Sequence, residues 1–351
     1  MKNLLKYYFQ KRWMIVIILS IIVLLINVIS YSGMDYIVRR YDYETRQYYL
    51  AAANAPISAS AILSCLLATF VPIFEFSFKM KKIGIDQYYS LPIKREKLYL
   101  GVFIVGLIEI IIPITVGYCY VIIDVLSKEH MYNLTQFIPY YFALIGLTAI
   151  LYATISFIYC RNNTIFDGVI CIIAYIFIGS TLFTAIAEIT KMFINDNSNI
   201  FAINILKSSL YMLYSPISIL TTYSRVLIAN EQIPQDMKAE VLSISIFAVF
   251  GIISMILFLL LSKKDKAEDS TQISNSYFSY RVIIPIFIIS LLITFHVSII
   301  TTFVFILICG YFGYCIYQRS FKLKLKNIIV LVSSLAIGLT IGSIVQSITG
   351  I

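Results

Sequence analysis

Charge is what this sequence has least of. Asp, Glu, Lys and Arg together make up 13% of its 351 residues, about half the share of an ordinary soluble domain. Histidine occurs twice, at His130 and His296, with no ligand partners in spacing, so no metal site is expected. The six cysteines (Cys65, Cys119, Cys160, Cys171, Cys309, Cys315) lie within or at the ends of apolar runs. None has the paired spacing of a metal site or a disulfide frame, and they read as core residues. A G-x-x-x-x-G-K-S/T loop is missing, and nowhere do Gly and Lys fall so as to cradle phosphates. Nucleotide chemistry on this chain is therefore not expected. No small-residue cleavage site follows the first apolar run, so that run reads as a span rather than a signal peptide.

What the sequence has is apolar length. It is 60% hydrophobic, with a mean hydropathy of +0.88. The apolar residues fall in runs near 13–31, 55–76, 99–123, 136–160, 165–187, 240–262, 282–297, 299–317 and 328–347, most of them about 18–25 residues and so long enough to cross a bilayer core. The expected fold is all-α and polytopic, with nine spans. The net charge of +9 sits in short clusters beside these runs. That is the pattern of topology signals and lipid-headgroup contacts, not of nucleic-acid binding.

The positive-inside rule sets the orientation. With nine spans, one side carries 19 of the Lys and Arg residues, among them Lys2, Lys6, Lys11, Arg12, Lys79, Lys94, Arg95, Arg161, Lys263 and Arg319; the other carries 8, including Arg39, Arg40, Lys128 and Arg225. The richer side holds the N-terminus, which is placed in the cytoplasm and the C-terminus outside. Residues 200–223 are apolar enough to suggest a tenth span. Crossing there would move the Lys263, Lys264 and Lys266 cluster outside, and Lys207 and Pro216 suit a plain spanning helix poorly. This stretch reads as a re-entrant external hairpin.

Three segments flank this core. Leu4, Leu5, Tyr8, Phe9 and Trp13 recur at helical spacing, either as an interfacial amphipathic helix or as the cytoplasmic end of the first span. Residues 263–280 form a polar linker dividing a 1–262 core from three further helices in 281–351. In the last of these, Ser334, Gly338 and Gly342 recur every four residues, a face suited to close packing within or between chains.

The loop 76–98 carries the most specific signal. Gly84 is expected to break a helix, a short amphipathic segment follows around Ile85 to Tyr89, and Pro92 leads into a basic run. Tyr88, Tyr89 and Leu91 would fill a groove on a partner. An ordinary positive-inside loop is the plain alternative. Residues 90–99 (SLPIKREKLY) resemble the first cytoplasmic loop of ABC-2-type transporter permeases. The likeness extends over residues 1–262 in its interfacial N-terminal helix, six spans and re-entrant hairpin, and stops short of the last three helices.

The resemblance implies that Asp86, Tyr88, Tyr89, Ser90, Leu91, Pro92 and Arg95 form the coupling loop. It implies two copies of a separate ATPase subunit holding ATP and Mg, and a second permease subunit, with surrounding lipid. No cofactor is expected on this chain. The function implied is ATP-driven export, of amphipathic peptides of the toxin or bacteriocin kind or of drugs. A scaffold or sensor subunit and an ion-coupled secondary transporter are the alternatives; the latter is disfavoured by the scarcity of mid-span charge. Glu109, about ten residues into its span, is the candidate to meet a cationic substrate group or else a packed carboxyl. Glu75 and Asp167, at span ends, read as interface or capping residues. The pairs Tyr48–Tyr49 and Tyr140–Tyr141 are expected in interfacial tyrosine belts.

Overall fold

The computed structural model describes residues 2–42, 47–52, 55–191, 237–263, 265–274, 276–295 and 300–349, with 220, 221, 223, 224 and 228. The long helices are α1 (Lys2–Tyr31), α2 (Ala55–Phe76), α4 (Arg95–Ser127), α5 (Phe137–Cys160), α6 (Ile165–Lys191), α7 (Met237–Ser262), α8 (Tyr280–Thr294), α9 (Ile300–Gln318) and α10 (Leu325–Thr349), with a short α3 (Lys82–Tyr89) between α2 and α4. Each long helix coincides with one apolar run. Five are long and apolar enough to cross a membrane, namely α1, α2, α4, α5 and α10; described parts of α6 to α9 form shorter apolar helices. In hydrocarbon every backbone N–H and C=O must be satisfied within the segment, which is why such runs fold as helices.

The surface is inverted relative to a soluble protein. Ile18, Ile21, Leu25, Phe70, Phe74, Ile252 and Val332 face outward, whereas Ser64, Ser156, Ser279, Ser290 and Ser334 are buried. An outer face this apolar belongs against lipid tails.

Successive helices alternate in direction between two ends of the bundle. At one end lies α3; at the other, an antiparallel ribbon joins β1 (Ile37–Asp42) to β2 (Gln47–Ala52), pairing Ile37 with Ala52 and Asp42 with Gln47. This ribbon is the one departure from an all-helical chain among the described residues. α6 ends and α7 begins at the ribbon end, where Asn133 N–H donates to the carbonyl of Ile228 at 2.9 Å and the Tyr223 ring packs 5.6 Å from Tyr140. The stretch 200–223 itself lies almost wholly outside the described residues, as do His296 and the turn between α8 and α9.

Three sequence expectations change in detail. Residues 2–31 form one uninterrupted helix, so the amphipathic segment is the end of the first span and not a separate interfacial helix. Gly84 sits inside α3 and does not break it; a Cβ there would come within 2.6 Å of the Phe78 carbonyl oxygen, so glycine permits the close approach of α3 to the preceding turn. Tyr140 is fully buried and Tyr141 stacks 5.4 Å from Tyr118, which makes the pair core rather than belt. The side chains of Tyr48 and Tyr49 are outside the described set.

The segment 263–280 is docked, not free. Thr271 N–H bonds the Asn163 carbonyl at 3.0 Å, Ser274 Oγ donates to the Arg161 carbonyl at 2.9 Å, and Ser279 Oγ donates to Asn162 Oδ1 at 2.9 Å. The C-terminal helices share one apolar core with the rest, α8 contributing Ile283, Ile284, Ile288 and Leu292. Ser334, Gly338 and Gly342 are all buried, and a Cβ at Gly338 would meet Leu292 Cβ at 2.9 Å, so this face packs within the chain against α8.

Candidate functional site

α3 is held at its end of the bundle by aromatic stacking on one side and a buried ion cluster on the other. Tyr88 stacks on Tyr8 of α1 at 5.6 Å and lies 4.6 Å from Phe78. Tyr89 hydrogen-bonds the Tyr99 hydroxyl at 3.0 Å, and the Arg95 guanidinium covers its ring at 4.7 Å. Burial pushes the Tyr89 phenol above its ordinary range, so it enters the network as a neutral hydroxyl.

Behind these tyrosines lies Asp265. Its Oδ2 is met by Lys79 at 3.0 Å, by the Tyr99 hydroxyl at 3.1 Å and by Arg161 at 3.4 Å. Lys79 also donates to the carbonyl of Cys160, and Arg95 to the backbone carbonyl of Asp265. All three charged side chains are at least nine-tenths buried. Lys79 and Arg161 thus lie at the C-terminus of α5, where cations are favoured by the helix dipole. The Asp265 clasp fastens α3, the end of α2, α4, α5 and the 263–274 segment at one point.

Of the sequence-predicted coupling residues, Tyr88, Tyr89 and Arg95 are engaged inside the chain and only part-exposed. Asp86, Ser90, Leu91 and Pro92 face outward, joined by Ile83, which at 84% exposed is the most open apolar side chain here. The outward surface of this segment is therefore Ile83 and Leu91 with polar neighbours, and the tyrosines hold it in place.

A second network lies beside the clasp. Thr164 caps α6, donating to Asp167 Oδ2 at 2.6 Å while accepting the Asp167 N–H at 3.2 Å, a capping-box arrangement. Asp167 also receives Tyr280 at 3.3 Å and Arg319 at 3.2 Å, so the capping role read for Asp167 extends to joining α6, α8 and the end of α9.

Glu109 is buried, 1% exposed, and Glu75 lies beside it, 2% exposed; each carboxyl acts electrostatically on the other. Arg12 of α1 reaches Glu75 at 3.1 Å. No hydrogen-bond donor meets Glu75 Oε2 or Glu109 Oε1. Pro113, one turn after Glu109, has no N–H to offer the carbonyl of residue 109. Glu75, read as a span-end residue, is therefore also a buried partner of Glu109. Sequence reading missed this pair, and missed Asp265 and Lys79, because each is made by residues far apart in the chain.

Cys65, Cys160, Cys171 and Cys315 are buried as expected, whereas Cys119 is exposed. His130 packs against Tyr132 with its Nδ1 3.0 Å from the Lys128 carbonyl, and among the described residues no group of His, Cys, Asp and Glu is placed to hold a metal. No family model matches the chain, nor does any curated protein or solved structure.

Proposed function

We propose that this chain is the membrane-spanning permease subunit of an ATP-driven exporter, acting with two copies of a separate ATPase subunit and a second permease subunit. The observation that carries the reading is α3: a short helix across the end of the bundle, outward at Ile83 and Leu91, and fastened inward through Tyr89 and Arg95 to a clasp that reaches four other elements. A push on α3 from the cytoplasmic side is thereby delivered to α4, α5 and the 263–274 segment together, the rigid-body coupling such a motor needs. The S-L-P-I-K-R stretch supports the same assignment. Orientation follows the charge asymmetry, with α3 in the cytoplasm and the ribbon outside. The substrate class that suits it is amphipathic, a peptide or drug drawn from the bilayer.

The ion-coupled transporter reading gains one observation, a second buried acid, Glu75, beside Glu109, with Arg12 against it. One experiment separates the two. The double variant Ile83→Ala/Leu91→Ala is expected to reach the membrane and to lose most of the wild-type yield of a co-expressed ATPase subunit on co-purification. Transport by the wild type in proteoliposomes is expected to need ATP. Transport driven by a proton gradient without ATP, or an undiminished ATPase yield from the double variant, would remove the exporter assignment.

A further inference from the structure

The charges of Arg12, Glu75 and Glu109 do not balance. Two carboxylates beside one guanidinium leave a negative charge between α1, α2 and α4, where both acids are at most 2% exposed. Two carboxyls sharing one apolar site do not both ionise, and a lone buried charge is costly enough that it is neutralised in preference. The hydrogen bonding points the same way. Glu75 Oε2 and Glu109 Oε1 are buried acceptors with no donor, and buried acceptors are almost always met by one.

We propose that Glu75 and Glu109 share one exchangeable proton and that, with Arg12, they form a proton-binding site at the α1–α2–α4 junction. The proton supplies the missing donor and cancels the surplus charge in one step. Its occupant is small because the site is filled. A Cβ at Gly106 would run into the Tyr152 hydroxyl and come within 3.2 Å of Glu75 Cγ, so the wall of α4 beside Glu75 is close-packed. The groups that face the pair are Arg12 and Tyr8 from α1 and Tyr152 from α5. Arg12 is the cation that acts on both acids. Loss of the proton sets two like charges across the α2–α4 contact against a single guanidinium, so occupancy of the site governs how tightly three helices pack. The site stands whether the chain is driven by ATP or by an ion gradient.

Infrared difference spectra of the full chain in lipid test it, read at the carbonyl stretch of a protonated carboxyl. At neutral pH the wild type is expected to show this band, shifted in heavy water, and to lose it in a single-proton step on alkaline titration. Glu109→Gln is expected to remove the band, because Glu75 is then balanced by Arg12. Arg12→Gln is expected to double it, and Arg12→Lys to leave it unchanged. A wild type without the band overturns the proposal. So does a band that survives Glu109→Gln, or one abolished by sodium at constant pH, which would make the occupant a metal cation. Should Arg12→Gln fail to fold, the wild-type titration and Glu109→Gln decide alone.

Discussion

Two ion clusters buried among the described residues have charge counts that are mirror images. At the clasp, two cations, Lys79 and Arg161, converge on one acid, Asp265, whose Oδ2 takes three donors. At the α1–α2–α4 junction, two acids, Glu75 and Glu109, share one cation, Arg12, which pairs with Glu75 Oε1, and Glu75 Oε2 and Glu109 Oε1 take no donor. Surplus positive charge is easily absorbed by a fold, because backbone carbonyls at helix ends are plentiful acceptors; Cys160 at the end of α5 serves here. Surplus negative charge inside a helix bundle has no such reservoir, since the N–H groups are spent on the helices themselves. The first cluster is closed and acts as a fastener. The second is open by one hydrogen.

That contrast predicts a graded response to neutralisation. Asp265→Asn strands Lys79 and Arg161, which are nine-tenths buried, and is expected to cost about 3–5 kcal/mol, seen as a large fall in melting temperature in detergent or as failure to purify. Arg12→Gln removes the one cation from the acid pair, but a second proton restores neutrality; the expected loss is about 1–2 kcal/mol, that of a buried hydrogen-bonding partner. Glu109→Gln puts an amide where the neutral acid stands. Its melting temperature is expected within a few degrees of the wild type, a cost under about 1 kcal/mol by the usual measure of a single hydrogen bond, and its stability should no longer fall on alkaline titration. The exposed pair Lys263–Glu96, at 3.3 Å with both side chains over two-fifths exposed, is the control: Lys263→Gln should cost about 0–0.5 kcal/mol. If Glu109→Gln proved as damaging as Asp265→Asn, the two clusters would be the same kind of object and the distinction would collapse.

Among the described residues each of the nine apolar runs is matched by a long helix, five of them long and apolar enough to cross a membrane, because apolar length is a local property, readable from about 20 residues at a time. The continuity of α1 was one of two readings the residues allowed, and hydrophobic spacing alone has no mark for where an amphipathic turn ends and a span begins. The ribbon at 37–52 was not legible: Arg39, Arg40 and Tyr41 look like any external loop until paired with Leu50, Tyr49 and Tyr48. Both clusters were invisible for a different reason. Lys79 and Asp265 are 186 positions apart, and by charge counting Lys79 is only one more positive-inside residue. Glu75 was placed at an interface by its distance from the span end, which says nothing of what covers it. In the 76–98 loop the short amphipathic helix was legible, but not that Tyr88 and Tyr89 would turn inward, since aromatic residues serve equally as anchors to a partner and to their own bundle.

The uninterrupted α1 has a mechanical consequence. It touches the α3 region at Tyr8, through the stack on Tyr88, and is pinned to α4 near its other end, where Gly117 leaves room for Val23 and the buried Asn27. At 1.5 Å per residue the arm from Tyr8 to Asn27 is about 28 Å and the arm from Asn27 to Tyr31 about 6 Å. α1 is held between these points as well, by Arg12 on Glu75, and beyond them by Lys128 on the Tyr31 carbonyl, so the rod has no free fulcrum and a displacement at Tyr8 carries the whole helix with it.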